Sequence, residues 1–102
     1  MDIKQLTYFI EIAESKTITE AAKKLHIAQP ALSQSLKALE ESVGVPLINR
    51  DKRQLSLTHS GDILYQEAKK IVKQIEITKH KVSSSNKEQV EIVNIGINTI
   101  SS

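Results

Sequence analysis

Gln29, Ser33, Gln34 and Lys37 bring two amides, a hydroxyl and an ammonium group into one short stretch. None of them is a strong acid, base or nucleophile at neutral pH. What they share is hydrogen bonding at a surface. A glutamine on a helix can pair with the N6/N7 edge of adenine, and Pro30 and Ala31 beside them can touch a thymine methyl. A second group is cationic: Arg50, Lys52 and Arg53 fall within four residues of one another. Cations packed this closely suit a phosphate backbone or a minor groove. Thr17 and Thr19 add hydroxyls at a helix start, where exposed backbone N–H groups favour anions. The chemistry on offer is nucleic-acid recognition: base-reading residues Gln29, Pro30, Ala31, Ser33, Gln34 and Lys37, and phosphate contacts from Thr17, Thr19, Arg50, Lys52 and Arg53.

Catalysis has no comparable constellation. His26, His59 and His80 are isolated, and Asp62 and Glu67 stand five apart on a helix, facing different ways. No HExxH, GxSxG, GxGxxG or phosphate-binding loop occurs, so the sequence predicts no enzyme, no metal and no cofactor. The 102 residues contain no cysteine, which excludes disulfides and thiolate metal sites and fits a cytoplasmic protein. No apolar run is long enough to span a membrane, and the N-terminus lacks the apolar stretch of a signal peptide. With 14 basic and 12 acidic residues the net charge is only +2. Positive charge must therefore be placed locally if nucleic acid is the partner.

The elements that position these groups can be read from spacing. Leu32, Leu36, Leu39 and Val43 recur at intervals of four, three and four, one face of a helix whose other face carries Ser33, Gln34 and Lys37. Pro30 suits the start of that helix and Gly44 its end. Ahead of it, Asp2 caps a first helix over 2–15, with Ile3, Leu6, Phe9, Ile10 and Ala13 inward. A second short helix over 18–26 is capped by Thr17 or Thr19, with Glu20 placed for a capping box. Its Ala21 and Ala22 let a neighbouring backbone come close, while Lys23 and Lys24 point outward, toward solvent or a phosphate. Two short helices joined through His26 and Ile27, the second with a polar outer face, form the helix–turn–helix pattern of DNA-binding proteins. Strands at 47–50 and 54–57 then make a basic hairpin, the wing.

Thr58 caps a long helix over 59–82, on the order of 35 Å at 1.5 Å per residue. Along it Leu64, Ala68, Ile71, Ile75, Thr78 and Val82 keep a heptad rhythm. So long a seam on so small a domain predicts a homodimer. Residues 83–89, SSSNKEQ, read as a hinge, and the β-branched run from Val90 to Ile100 reads as a strand without a partner. The expected organisation is a DNA-binding domain over 1–58, a dimerisation helix over 59–82, a hinge over 83–89, and over 90–102 the first strand of a truncated further domain.

LTYFIEIAES, TITEAAKKLHIAQPALSQSLKALEESVGVPLINR and LSLTHSGDILY, in this order, resemble the N-terminal domain of LysR-type transcriptional regulators. The resemblance covers 3–65 by motif and 66–98 by layout. It implies a mainly α winged helix–turn–helix followed by a long dimerising helix. It also implies sequence-specific binding of double-stranded DNA, at an interrupted palindrome, by a homodimer of a bacterial metabolite-responsive regulator. A small-molecule effector belongs to the missing C-terminal domain, whose first strand VEIVNIGI resembles, and pairing of dimers into tetramers belongs to the full-length protein. Two departures stand out. Family members often carry Ser where Ala28 stands and Arg where Gln34 stands, so helix capping and base preference are expected to differ here. The competing readings are a bare dimerisation module, which leaves the basic hairpin unexplained, and a sequence-neutral architectural DNA binder, which the near-neutral charge disfavours.

Overall fold

The computed structural model describes the backbone of residues 1–50 and 53–95, and side chains within that span up to residue 86. The described residues form four helices: α1 (Ile3–Ala13), α2 (Ile18–Leu25), α3 (Gln29–Val43) and α4 (His59–Ile95). The chain divides into two compact units, Met1–Val72 and Lys73–Ser102.

Local chemistry sets the starts and stops within the first unit. Asp2 caps α1 by accepting from the Gln5 N–H, and the Gln5 side chain accepts in return from the Asp2 N–H, a complete capping box. Thr17, not Thr19, caps α2, accepting from the Glu20 N–H at 3.0 Å. Glu20 reaches back one residue further than a standard box, to the Lys16 N–H at 2.7 Å. His26 closes α2 in the left-handed region at φ 59°, which turns the chain toward α3. Gly44 closes α3 at φ 81°.

Phe9, Ile12, Leu32, Leu36, Leu39 and Leu47 are the largest fully buried side chains. Each contributes about 1.5–3 kcal/mol by leaving water. Ala21 and Ala22 are also buried, so α2 presents methyl groups to its neighbours. Two sequence expectations need correction. In α1 the inward residues are Leu6, Phe9 and Ile12, while Ile3 is 40% exposed, because the buried stripe continues on the Phe9–Ile12 side. Val43, in the last turn of α3, lies at the surface, just before the chain leaves the helix at Gly44.

Among the described residues the wing arms pair antiparallel through one bridge, Ile48 with Leu57. Side chains and a third segment hold the rest. Asn49 N–H donates to the Ser56 carbonyl at 2.9 Å, and its amide donates to Ser56 Oγ and the Leu57 carbonyl. Leu55 N–H instead donates to the Lys16 carbonyl at 3.1 Å, which draws the returning arm to the turn before α2. Glu40 of α3 anchors the outgoing arm. Its carboxylate accepts from Leu47 N–H at 2.7 Å, and from Arg50 at 2.8 and 3.1 Å through the two terminal guanidinium nitrogens. Burial works against ionising this carboxyl. The Arg50 and Leu47 bonds and the Arg50 charge outweigh it and hold Glu40 below the usual glutamate range.

At the start of α4, Thr58 Oγ1 accepts from Gly61 N–H at 3.0 Å and donates to the Pro46 carbonyl at 2.8 Å. Gly61 lies against Leu47: a Cβ there would overlap the Leu47 carbonyl oxygen. Within the same unit Tyr65 donates to the Glu14 carboxylate at 2.7 Å, tying α4 to the end of α1. That bond to a carboxylate raises the Tyr65 pKa, and burial adds to the shift.

The helix α4 departs most from the sequence reading. It runs through 83–89 and on to Ile95, where a hinge and a strand were expected. The serines fit a helix because their hydroxyls donate to carbonyls three residues back: Ser83 to His80, Ser84 to Lys81 and Ser85 to Val82. A β-branched run forms a strand only with a neighbour to pair with. The 96–102 portion of the expected strand lies outside the described residues.

Two stability measurements follow. Replacing an exposed helical glycine by alanine ordinarily stabilises by about 0.5–1 kcal/mol. Gly61→Ala is expected to do the reverse and cost about 1–3 kcal/mol in a urea titration, because the methyl collides with backbone. For Glu40, the lowered folded pKa means its contribution is complete above pH 4.5 and is lost as pH falls below that value. Glu40→Gln is expected to cost about 1–2 kcal/mol near neutral pH. The gap to wild type should narrow in acid, and a gap that stays constant down to about pH 3 contradicts the ionised clasp.

Candidate nucleic-acid interface

With Leu32, Leu36 and Leu39 buried, the outer face of α3 presents Gln29, Pro30, Ala31, Gln34 and Lys37 to solvent. Five of the six predicted base-reading residues are therefore exposed, and the sixth, Ser33, is half-buried beside them. An internal bond joins two of the six: the Gln29 amide donates to Ser33 Oγ at 3.0 Å. Gln29 is thus turned along the helix and does not cap it. Ala28 is the N-cap residue and provides no side-chain acceptor, so the first N–H groups of α3 have none.

Two surface depressions adjoin this face. Ser33, Lys37, Glu40 and Arg50 line one. Thr17, Thr19, Gln29, Arg50 and Arg53 line the other, with Asn49 and Gln54. Ile18 and Arg50 belong to both, so the two run side by side along the edge of α3. Thr17 and Thr19 at the start of α2, Gln29 at the start of α3 and the guanidinium-bearing wing thus share one depression. Lys52 lies outside the described residues. Arg50 is not a freely solvated cation: its side chain is 54% exposed and ion-paired with Glu40, whose side chain is 12% exposed.

Asn49, Gln54 and Glu40 are the residues that the sequence reading missed. Asn49 and Gln54 are polar residues beside a basic turn, a signal too common to single out. Glu40 meets Arg50 across ten positions of chain, a contact that no local pattern reveals. Lys23 and Lys24 are both exposed, and Lys24 stands 3.7 Å from Glu11, which favours a surface pair over a phosphate contact for that one. Among the described residues no group of His, Cys, Asp and Glu could hold a metal ion, and no helix is long and apolar enough to cross a membrane.

The heptad positions divide. In the first unit, Leu64 is half-buried against the core, and Ala68 is fully buried within its own chain, which takes Ala68 out of the predicted seam. Ile71 is 39% exposed. In the second unit Ile75 is half-buried, Thr78 is exposed, and Val82 is 67% exposed. Ile63 and Ile77, outside the predicted seam, are exposed as well.

The arrangement offers neutral amides and a hydroxyl at the centre, cations at the side and hydroxyls at a helix start. It suits a polyanion with hydrogen-bonding edges. Comparison with known proteins agrees. Residues 3–62 match the family described as bacterial regulatory helix-turn-helix protein, lysR family. The HTH-type transcriptional regulator BsdA of Bacillus subtilis (strain 168) is 44% identical over 97 residues, 94% of this chain and 33% of that protein. The Hca operon transcriptional activator HcaR of Escherichia coli (strain K12) is 44% identical over 79 residues, 78% of this chain and 27% of that protein. The chain thus spans about a third of the length of the curated relatives it matches. Among solved structures, the BenM DNA-binding domain in complex with catB site 1 DNA superposes with TM-score 0.84 at 32% identity, covering 87% of this chain and 96% of that one. The CbnR DNA-binding domain–DNA complex gives 0.81 at 32% identity, covering 84% and 99%. This chain belongs to the LysR family of bacterial helix-turn-helix regulatory proteins.

Proposed function

We propose that this chain is the DNA-binding part of a bacterial transcriptional regulator, which holds double-stranded DNA sequence-specifically as a homodimer. The observation that carries the reading is the exposed polar face of α3 flanked by two depressions that gather Thr17, Thr19, Arg50 and Arg53. A helix presenting its N-terminal residues this way fits a major groove, with Gln29 and Gln34 reading base edges and Pro30, Ala31, Ser33 and Lys37 completing the contact. The wing, including Lys52, follows the backbone beside it. The BenM and CbnR domains, similar over nearly their whole length, are solved as DNA complexes, which supports the same role here.

Residues 1–58 form the reading unit in this proposal, and 59–82 the pairing helix. Ile71, Ile75, Thr78 and Val82 supply its apolar contacts. Two copies then reach half-sites separated by a whole number of helical turns, an interrupted palindrome. Response to a small metabolite, and any tetramer, belong to a longer protein of which this chain is the N-terminal part. The reading involves no catalytic step and no cofactor, and it places the chain in the cytoplasm, where bacterial DNA lies.

Binding-site selection from random duplexes tests the reading. Wild type is expected to recover two related half-sites, and recovery of unrelated sequences excludes specific recognition. Gln34→Arg is expected to move one position of each half-site from adenine toward guanine, since arginine pairs with O6/N7 of guanine. Identical motifs from both proteins rule out base reading by Gln34. With six to ten phosphate contacts per dimer, affinity should fall by about 10³–10⁵ between 50 and 200 mM salt. A nearly flat salt response removes Arg50, Lys52 and Arg53 from the interface.

A further inference from the structure

Glu40 is a carboxylate at the edge of a surface that the proposed function assigns to a polyanion. It lines the same depression as Ser33, Lys37 and Arg50. Coulomb repulsion from phosphate makes an acid there unfavourable by charge alone. Its bonds give it a different purpose. The two terminal nitrogens of Arg50 donate to the two carboxylate oxygens, at 2.8 and 3.1 Å, in the planar fork that only arginine can form. Leu47 N–H, at 2.7 Å, and Ile48 N–H, at 3.4 Å, donate to the oxygen that accepts the longer Arg50 bond. Four donors thus fix the carboxylate, and the carboxylate fixes the guanidinium. A guanidinium has five N–H donors, so three remain for another ligand, on a side chain still 54% exposed.

We propose that Glu40 is a positioning residue for DNA binding, which holds the Arg50 guanidinium on the wing so that its remaining N–H groups meet a phosphate oxygen beside α3. The inference rests on the DNA-binding reading and adds to it. An unheld arginine would have to be ordered at the moment of binding, and ordering it beforehand strengthens the complex. The carboxylate's repulsion is offset because its charge is already neutralised by the cation that it holds.

The test measures the affinity of the whole chain for a duplex recovered by site selection. Glu40→Gln is the informative variant, because its amide oxygen can still accept from Leu47 N–H while its NH₂ cannot accept from Arg50. Removal of a negative charge by itself predicts tighter DNA binding. Positioning predicts the opposite: on the order of tenfold weaker binding, because the guanidinium must then be ordered as it binds. Arg50→Ala should weaken binding similarly, and the double variant no further than Arg50→Ala alone. Binding by Glu40→Gln that is unchanged or tighter, or losses that add in the double variant, overturns the proposal. Should Glu40→Gln fail to fold, as judged by its thermal melt, Arg50→Lys decides the matter. It keeps the charge but lacks the fork, so it should bind about tenfold more weakly. Affinity equal to wild type overturns the proposal. If wild type itself recovers no preferred duplex, the DNA-binding reading fails, and this inference fails with it.

Discussion

The peptide groups of Leu47 are the junction on which the rest of the first unit depends. Its N–H donates to Glu40 of α3, its carbonyl accepts from Thr58 N–H at the cap of α4, and its side chain is 1% exposed in the core. Gly61 is the close neighbour that this carbonyl requires. One residue therefore connects the recognition helix, the outgoing arm of the wing and the start of the long helix. Its two polar groups are satisfied by partners from different elements, as buried backbone must be. The consequence is geometric. Among the described residues the wing arms share one bridge, and both arms are bonded to other segments as well: Leu47 to Glu40 and Leu55 to Lys16.

The same economy governs the charge. A net charge of +2 provides little general attraction for a polyanion. Placement has to do what quantity does not. Arg50 and Arg53 line the depression that also holds Thr17 and Thr19, while on α4 the acids Glu67 and Glu76 pair with Lys70 and Lys79. Those α4 pairs are exposed, worth only a few tenths of a kcal/mol or so each.

What the sequence disclosed, and what it did not, follows the range of the interactions. Caps at Asp2 and Thr17, the buried Leu32–Leu36–Leu39 stripe, the turn at His26 and the glycine stop at Gly44 all depend on residues within a few positions, and all were legible. The exposed polar face of α3 was legible for the same reason, as the complement of that stripe. Glu40 was not, because its partners are seven to ten residues away in a segment without regular structure. The heptad seam shows a third case. Its rhythm is real, but periodicity records only that a face is apolar, not what covers it. Ala68 is buried and Leu64 half-buried within their own chain, whereas Ile71 and Val82 are exposed. The expected hinge and strand at 83–95 failed on a similar point, since strand formation is decided by a partner that local sequence does not contain.

The start of α3 is where the helix gives up a stabilising contact. An alanine N-cap forgoes a bond worth about 1 kcal/mol that serine at this place would make. Gln29, the nearest side chain that could substitute, is held by Ser33 instead. Pro30 limits the loss, since it removes one of the donors a cap would have to satisfy and sets the backbone angle that the first turn needs. The Ala31 and Leu32 N–H groups both donate to the Ala28 carbonyl, at 3.1 and 3.2 Å, so the backbone of residue 28 takes over part of what a capping side chain would do. Stability is conceded at the tip of the helix and recovered a few residues later in the buried leucine stripe.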